Sequence, residues 1–196
     1  IITGLFIEPS FSILINMSHL IAGSDTLITD YFIKGSMGSA FLNAGLVGLI
    51  SMTLLKIFNN ESKGIAFASV MLMIGFSFFG KNIYNIWPII LGTYIYARFK
   101  NKEFGDILPI AFFATSFSPI VSEFAFVYQA PLLIRIALSW GVGMSVGFVV
   151  VLLASRLYTV HKGYNLYNVG FTIGILSTIY VSLVKSFGYT IENELI

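Results

Sequence analysis

Charged residues are so sparse in this chain that they divide it into long uncharged runs, and this spacing restricts the fold more than any other feature. Only 10% of the 196 residues are charged and 57% are hydrophobic, whereas a soluble domain needs about 25% charged residues to solvate its surface. The runs Gly35–Leu55, Ile136–Ser155 and Gly163–Val184 each reach the ~20 residues of a membrane-crossing helix. The sequence therefore predicts a polytopic membrane protein.

Shorter apolar segments complete the predicted topology. Three uncharged runs and one N-terminal segment are close to, but below, full crossing length: Ile65–Gly80, Asn82–Ala97, Ile107–Ser122 and Phe11–Ala22. Stretches such as Ser145–Ala154 do not alternate in polarity, as the strands of a membrane β-barrel would. We expect an all-α transmembrane helical bundle with about six spans and a partial or re-entrant N-terminal segment. The whole chain, 1–196, would form a single transmembrane domain.

The basic residues predict the orientation. One side of the predicted bundle receives seven of them: Lys56, Lys63, Arg98, Lys100, Lys102, Arg156 and Lys162. The other side receives Lys34, Lys81 and Lys185, with Arg135 near it. Because basic residues concentrate in cytoplasmic loops, we expect the first side to be cytoplasmic. The chain would then lie in the inner or plasma membrane with its C-terminal end outside the cytoplasm.

Two of the long spans begin with similar sequences. Gly38–Leu46 aligns without gaps onto Gly163–Phe171 with the shared pattern G-x-x-Φ-Φ-N-x-G-Φ, where Φ is apolar or aromatic. Four predicted crossings separate the copies, so the two spans would run in opposite directions. This arrangement is typical of an inverted-topology repeat. Since the second copy stops after one helix, we expect the chain to be part of a longer protein.

Three segments also carry a family resemblance. They are LITDYFIKGSMGSAFLNAGL (Leu27–Leu46), KNIYNIWPIILGTYIYARF (Lys81–Phe99) and HKGYNLYNVGFTIGI (His161–Ile175). Together they resemble the bacterial membrane proteins grouped as domain-of-unknown-function family 1576. The resemblance implies a multi-span membrane protein without an established activity, so no catalytic residue can be carried over. More loosely, the Gly- and Asn-bearing span starts resemble those of urea transporters, which are also built from inverted halves.

The repeated span starts supply the first candidates for a solute path. Asn43 and Asn168 could hydrogen-bond a polar solute, and Gly45 and Gly170 would let it approach the backbone. Alternatively, each Asn caps its helix or bonds a neighbouring helix, and each Gly allows close packing.

The segment around Pro119 supplies the second group of candidates. Ser118 and Ser122 flank this proline, and a helix interrupted there would expose polar groups to a solute. Beyond it, Glu123 and Arg135 bracket an uncharged stretch. They are candidates for a gate or, alternatively, for an interfacial anchor or a mutual ion pair.

Other polar and small residues favour structural roles. Ser24 or Asp25 is predicted to cap a short helix, with Asp30 on its solvent side; Asp30 as a proton or cation site is the alternative. Ser139, Gly143 and Gly147 recur every four residues, a spacing typical of closely packed membrane helices.

Catalytic and metal-binding motifs are missing from the sequence. There is no Cys, and the two His are far apart, so no thiol nucleophile or thiolate metal site is available. The net charge of +2 gives no reason to expect nucleic acid as a partner. We expect no cofactor and no enzymatic activity.

The remaining function classes all involve the membrane. The predicted interior offers Asn, Ser and Thr rather than a chain of carboxylates, which favours a transporter or channel for a small polar, neutral solute. The expected partners are the lipid bilayer, this solute and, as an open possibility, further copies of the chain in a homo-oligomer. The alternatives are a structural or assembly membrane subunit and, less favoured, an intramembrane enzyme.

Overall fold

Helices form almost all of the regular structure. The computed structural model describes residues 1–25, 29–60, 64–126, 130–161 and 168–186. Its helices are α1 (Ile2–Ile7), α2 (Ser10–Ile21), α3 (Tyr31–Lys34), α4 (Met37–Ile57), α5 (Gly64–Phe76), α6 (Ile86–Phe99), α7 (Phe104–Ala114), α8 (Ser118–Phe126), α9 (Leu132–His161) and α10 (Asn168–Ser186), with a 3-10 turn at Thr115–Phe117. In these ranges the one β-type pairing is an isolated bridge between Asp30 and Phe79. The predicted all-α class is confirmed.

Among the described residues, three helical segments are long and apolar enough to cross a bilayer. They are Met37–Ile57 (α4), Phe104–Phe126 (α7 with α8) and Leu132–Ala154, the first part of α9. α5 has 13 residues and α6 has 14, which is short of the ~20 residues of a straight crossing. α2 is the short N-terminal helix that the sequence predicts. The structure supports a membrane protein with three such segments, and the count of six crossings stays a prediction.

Serine side chains fix the start of α4. The Ser39 amide donates to the Ser36 hydroxyl at 3.2 Å, and the Ser36 amide donates to the Ser39 hydroxyl at 2.9 Å. This reciprocal cap satisfies backbone donors that a first helical turn leaves free. At the other end of α4, the Phe58 ring lies 4.8 Å from the Phe104 ring, centroid to centroid. The end of α4 therefore meets the start of α7, which returns through the bundle in the opposite direction.

The segment around Pro119 tightens without breaking. Between α7 and α8, Thr115–Phe117 forms a 3-10 turn, and the flanking Ala114 and Ser118 keep right-handed helical dihedral angles. The Thr115 hydroxyl donates to the Phe112 carbonyl at 2.6 Å, which satisfies a carbonyl that the changed helix geometry leaves free. The predicted interruption is therefore one tightened turn, and Pro119 lies in the first turn of α8, where its missing N–H has least effect.

Glycines bring α6 and α9 into direct backbone contact. These two helices form the most extensive helix pair in the bundle. A Cβ on Gly92 of α6 would collide with the Met144 carbonyl, and one on Gly147 of α9 would collide with the α6 backbone. Ser139 is fully buried, and Gly143 also faces α6. The predicted packing seam is confirmed.

The spans that carry the repeated sequence run in opposite directions. In α10, Ile173 packs with the core around Ala114 and Phe117, and the later residue Tyr180 meets Phe124 of α8 at 6.2 Å between ring centroids. α10 therefore runs parallel to α7 and α8, and opposite to α4. An inverted repeat requires this relation, but one helix of the second copy is too little to establish the repeat, which stays a prediction.

Candidate functional site

The connector 77–85, between α5 and α6, folds into the protein. Asn82 and Asn85 are both fully buried. The Asn82 amide N–H donates to Asn85 Oδ1 at 2.8 Å, and the Asn85 amide N–H donates to Asn82 Oδ1 at 3.0 Å. Because each side-chain oxygen is occupied by the other residue's backbone, both side-chain Nδ2 groups remain as donors to other parts of the molecule.

These donors meet at the carboxylate of Asp25, which is 1% exposed. Asp25 Oδ1 accepts from Lys34 Nζ at 2.6 Å. Asp25 Oδ2 accepts from the Tyr31 hydroxyl at 3.1 Å, from Asn82 Nδ2 at 3.3 Å and from Asn85 Nδ2 at 3.4 Å. Asn85 Nδ2 also donates to the hydroxyl of Ser122 in α8 at 3.0 Å. We call this group the Asp25 cluster: Asp25, Tyr31, Lys34, Asn82, Asn85 and Ser122.

The charges within the Asp25 cluster compensate each other. Burial raises the pKa of the Asp25 carboxyl, while the charge and hydrogen bond of Lys34 act in the opposite direction. Burial also raises the pKa of Tyr31, which keeps its hydroxyl protonated and able to donate. With an ammonium 2.6 Å from the carboxylate, we assign a paired, net neutral cluster. Within the described residues, no group of three or more Asp, Glu or His side chains is placed to hold a metal ion.

Lys81 is buried without a charged partner. Its side chain is 1% exposed, and its Nζ donates to Met73 Sδ at 3.4 Å and lies 5.2 Å from the Phe76 ring centroid. A thioether sulfur is only a weak acceptor. Burial lowers the pKa of Lys81 to about 7, and no charge on another described group contributes to this shift. Near neutral pH, Lys81 therefore exists both as an ammonium and as a neutral amine.

Two buried polar atoms on elements that pack around the Met73–Lys81 contact have no hydrogen-bond partner among the described residues, namely Asn43 Oδ1 and Ser118 Oγ. Asn43 Nδ2 donates to the Lys81 carbonyl at 2.8 Å. Ser118 follows Thr115 by one turn, and the Thr115 hydroxyl lies 3.0 Å from the same Met73 sulfur that Lys81 contacts. We call Asn43, Met73, Lys81, Thr115 and Ser118 the Lys81 site. Some hydrogen-bond donors and acceptors of this site therefore have no partner among the described residues and are available to a ligand.

Comparison with known proteins identifies the family. The model of the family described as "Protein of unknown function (DUF1576)" matches residues 10–186. The chain belongs to the DUF1576 family. The family resemblance predicted from the sequence is thereby confirmed. No curated protein and no solved structure matches the chain, so a role for the two buried polar groups must be argued from their chemistry.

Three of the predicted solute-lining residues of this DUF1576 chain lie in its polar region. Asn43 and Ser118 belong to the Lys81 site, Ser122 belongs to the Asp25 cluster, and all three are fully buried. Gly45 lies elsewhere: a Cβ there would collide with Ile1, so this glycine makes room for the N-terminal segment.

The second copy of the repeat does not contribute to this region through the described contacts. Asn168 begins α10, and its side chain lies outside the described part of the structure. Gly170 is half-buried on the same helix. α10 packs on α9 and α7, whereas Asn43 contacts the connector 77–85. A solute-lining role for Asn168 and Gly170 stays a prediction.

Glu123 and Arg135 do not form the predicted mutual ion pair. Among the described residues of this region, Lys34 pairs with Asp25, and no ion pair joins Glu123 to Arg135. Glu123 is half-buried on α8 and lies within electrostatic range of Tyr180 in α10 and of Asp25. Arg135 Nε is buried without a hydrogen-bond partner in the described part of the chain. The ion-pair prediction is wrong, and a gate or anchor role for either residue stays a prediction.

Two charged residues of this DUF1576 chain have other roles than the sequence predicts. Asp30 caps α3 by accepting from the Phe32 amide at 2.8 Å, whereas the predicted cap by Ser24 or Asp25 falls on residues 26–28, outside the described part of the structure. Lys81 is buried instead of marking the water-exposed end of a span. The segment KNIYN gives no signal of this burial, because Asn and Lys are equally common in connectors that stay in water.

Proposed function

We propose that this chain forms part of a membrane transporter or channel for a small polar solute, which binds where the Asp25 cluster adjoins the Lys81 site. The observation that supports this most directly is the concentration of buried polar and ionisable side chains in an otherwise apolar helical bundle. An ionisable group at membrane depth costs about 2.5–3.5 kcal/mol on insertion scales, and such groups mark solute and ion pathways. Helix packing alone does not need them.

The chemistry of the polar region fits a solute without net charge. The Asp25–Lys34 pair is net neutral, and apart from Lys81 the other polar side chains of the region are amides and hydroxyls. Such groups recognise a solute by hydrogen bonds in both directions. The neutral solute expected from the sequence is therefore retained in the proposal, and no reaction is assigned to the chain.

The orientation is also part of the proposal. We place the chain in the inner or plasma membrane, with the side that carries most basic residues in the cytoplasm. The connector 77–85 and Lys34 then belong to the opposite side. A solute arriving from outside the cytoplasm would meet the Asp25 cluster early on its path.

Solute flux into proteoliposomes tests the proposal. The intact protein is reconstituted, and vesicle volume is followed by stopped-flow light scattering after challenge with urea, glycerol or acetamide. We expect saturable flux that falls about tenfold in Asn43→Leu, since one lost hydrogen bond of about 1.4 kcal/mol has this effect. Ser122→Val is expected to act in the same direction. Ser145→Val is the matched control, because Ser145 is exposed on α9.

Two results would contradict the proposal. Flux no greater than in empty liposomes, from protein shown to be folded by circular dichroism, would favour a non-transporting membrane subunit. Saturable flux that Asn43→Leu and Ser122→Val leave unchanged would place the solute path outside the polar region.

A further inference from the structure

The two lysines of the polar region, half-buried Lys34 and fully buried Lys81, differ in whether a negative charge is paired with them. Lys34 Nζ is 2.6 Å from the Asp25 carboxylate and also donates to the Ser24 carbonyl at 2.6 Å. Lys81 is more deeply buried than Lys34, yet the partner of its Nζ is the sulfur of Met73. Lys34 is thus neutralised inside the protein, and Lys81 is not.

The neighbours of Lys81 cannot supply the missing negative charge. From α4 comes Asn43, from α5 come Met73 and Phe76, and from the turn after α7 comes Thr115. None of these side chains titrates near neutral pH. Asp25 is paired with Lys34, and neither Asp25 nor the neighbouring Glu123 contributes to the lowered pKa of Lys81, which burial alone causes. A proton or a charge that enters the Lys81 site therefore has to be carried by Lys81 or by a ligand.

An ammonium has three N–H donors and no acceptor. One donor of Lys81 faces a weak acceptor, and the others have no partner among the described residues. A buried cation of this kind is stabilised most by an anion that accepts charge-assisted hydrogen bonds. Ser118 Oγ, one helical turn beyond Thr115, also lacks a partner in the described part of the chain, and we assign it as a further donor to the same anion.

We propose that Lys81 binds a small monoanion such as a carboxylate, and that this anion enters together with one proton. The step is a proton transfer without change of oxidation state: a neutral Lys81 amine and a protonated acid give an ammonium paired with the anion. The species that enters has no net charge, so the inference agrees with the neutral solute of the proposed function. It rests on that function and adds the class of solute.

Proton uptake on anion binding tests this inference. The intact protein, in weakly buffered detergent solution at pH 8 with a pH-indicator dye, is mixed with sodium acetate or sodium nitrate. Acetamide, which has the shape of acetate without its charge, is the ligand control. Because the anion favours the ammonium, we expect uptake of about one proton per chain with the anions and none with acetamide.

Three variants assign the proton. Lys81→Met should abolish the uptake and the increase in melting temperature that acetate produces. In Lys81→Arg the side chain is always charged. This variant should keep the acetate-dependent increase in melting temperature but lose the proton uptake. If Lys81 had only a structural role, the two readouts would not separate in this way. Lys56→Met removes an exposed lysine at the end of α4 and should behave as wild type.

The outcomes separate this inference from the proposed function. Folded wild-type protein that takes up no proton with either anion, or uptake that persists in Lys81→Met, overturns the inference. Should Lys81→Met fail to fold, Lys81→Arg decides, since continued proton uptake in that variant also overturns it. Saturable flux of neutral solutes without anion-linked protonation supports the proposed function and rejects the inference about Lys81. Anion-linked protonation without any flux supports anion binding at Lys81 and rejects the proposed transport function.

Discussion

The α6–α9 seam and the polar region around the connector 77–85 share α6, but different forces hold them together. In the seam, Gly92 and Gly147 bring two backbones into contact, so that dispersion forces act over a long, dry interface. In the polar region, the side chains of Asn82 and Asn85 hydrogen-bond across to Asp25 and Ser122. One helix therefore packs by shape along its length and by directed polar bonds at its start.

This difference indicates that the bundle needs the seam for folding, whereas the polar region is not required for helix packing. The seam shows that small residues suffice to join two helices of this protein. The polar region contains an ion pair and a lone lysine that could be replaced by apolar residues without loss of helix contact. Retaining them is costly in an apolar bundle, which is why we assign function to the polar region and structure to the seam.

The largest effect is expected from leaving the Asp25 carboxylate without its cation. Lys34→Met removes the partner at 2.6 Å, and an uncompensated buried charge should lower the free energy of unfolding by about 3 kcal/mol. Unfolding by SDS in mixed micelles, followed by circular dichroism, measures this change. The double variant Asp25→Asn/Lys34→Met should recover most of the loss. If the double variant is as unstable as the single one, the ion pair is not what the cluster is built around.

The second largest effect on stability is expected from added side-chain volume in the α6–α9 seam. Gly92→Ala places a Cβ against the Met144 carbonyl, and overpacking of this kind costs about 2 kcal/mol. Gly141→Ala is the matched control, because a Cβ at Gly141 meets no atom within 4 Å, and alanine stabilises a helix by about 0.5–1 kcal/mol relative to glycine. Melting temperatures of the two variants should therefore move in opposite directions. Equal shifts would show that the seam is looser than the structure indicates.

A pH-dependent effect is expected at Lys81. Its pKa in the folded protein is about 7, below the ordinary value of 10.5, so the unfolded chain binds more protons between these pH values. The free energy of unfolding of the wild type should therefore rise from pH 7 toward pH 10.5 and be lowest below pH 7. Lys81→Met should remove this slope and stabilise the protein at pH 6, where the wild type holds a buried ammonium.

Lys56→Met is the control for this experiment, because Lys56 is exposed and its removal should leave the slope unchanged. If the unfolding free energy of Lys81→Met depends on pH as that of the wild type does, then another group causes the slope. The proposed difference between Lys34, which is paired with Asp25, and Lys81, which is not, would then have no effect on stability.

The two regions also differ in how well the sequence predicts them. The seam follows from a spacing of four between Ser139, Gly143 and Gly147, because a helix places such residues on one face. The spans follow from hydrophobicity and length in the same local way. Both features are properties of one helix, and the structure confirms the seam and the all-α class.

The Asp25 cluster could not be predicted by the same logic. Sparse charges in a membrane protein indicate the ends of spans, and this pattern predicts that Lys81 and Lys34 lie in connecting loops. Whether a connector stays in water or folds inward depends on partners 50 or more residues away, such as Asp25 for Asn82. Hydropathy reports the polarity of a segment and contains no information on such pairing.

The smallest effect sharpens the contrast within the polar region itself. Ser122 accepts a hydrogen bond from Asn85 at 3.0 Å, whereas the Ser118 hydroxyl is buried without a partner. Ser122→Ala should therefore cost about 1 kcal/mol of unfolding free energy, and Ser118→Ala should be neutral or slightly stabilising. Solute flux should fall more in Ser118→Ala than in Ser122→Ala, because the unbonded Ser118 hydroxyl in the Lys81 site is available to a solute. If Ser118→Ala is destabilising and leaves flux unchanged, the Ser118 hydroxyl stabilises the fold, and Ser118 does not belong to the solute-binding part of the polar region.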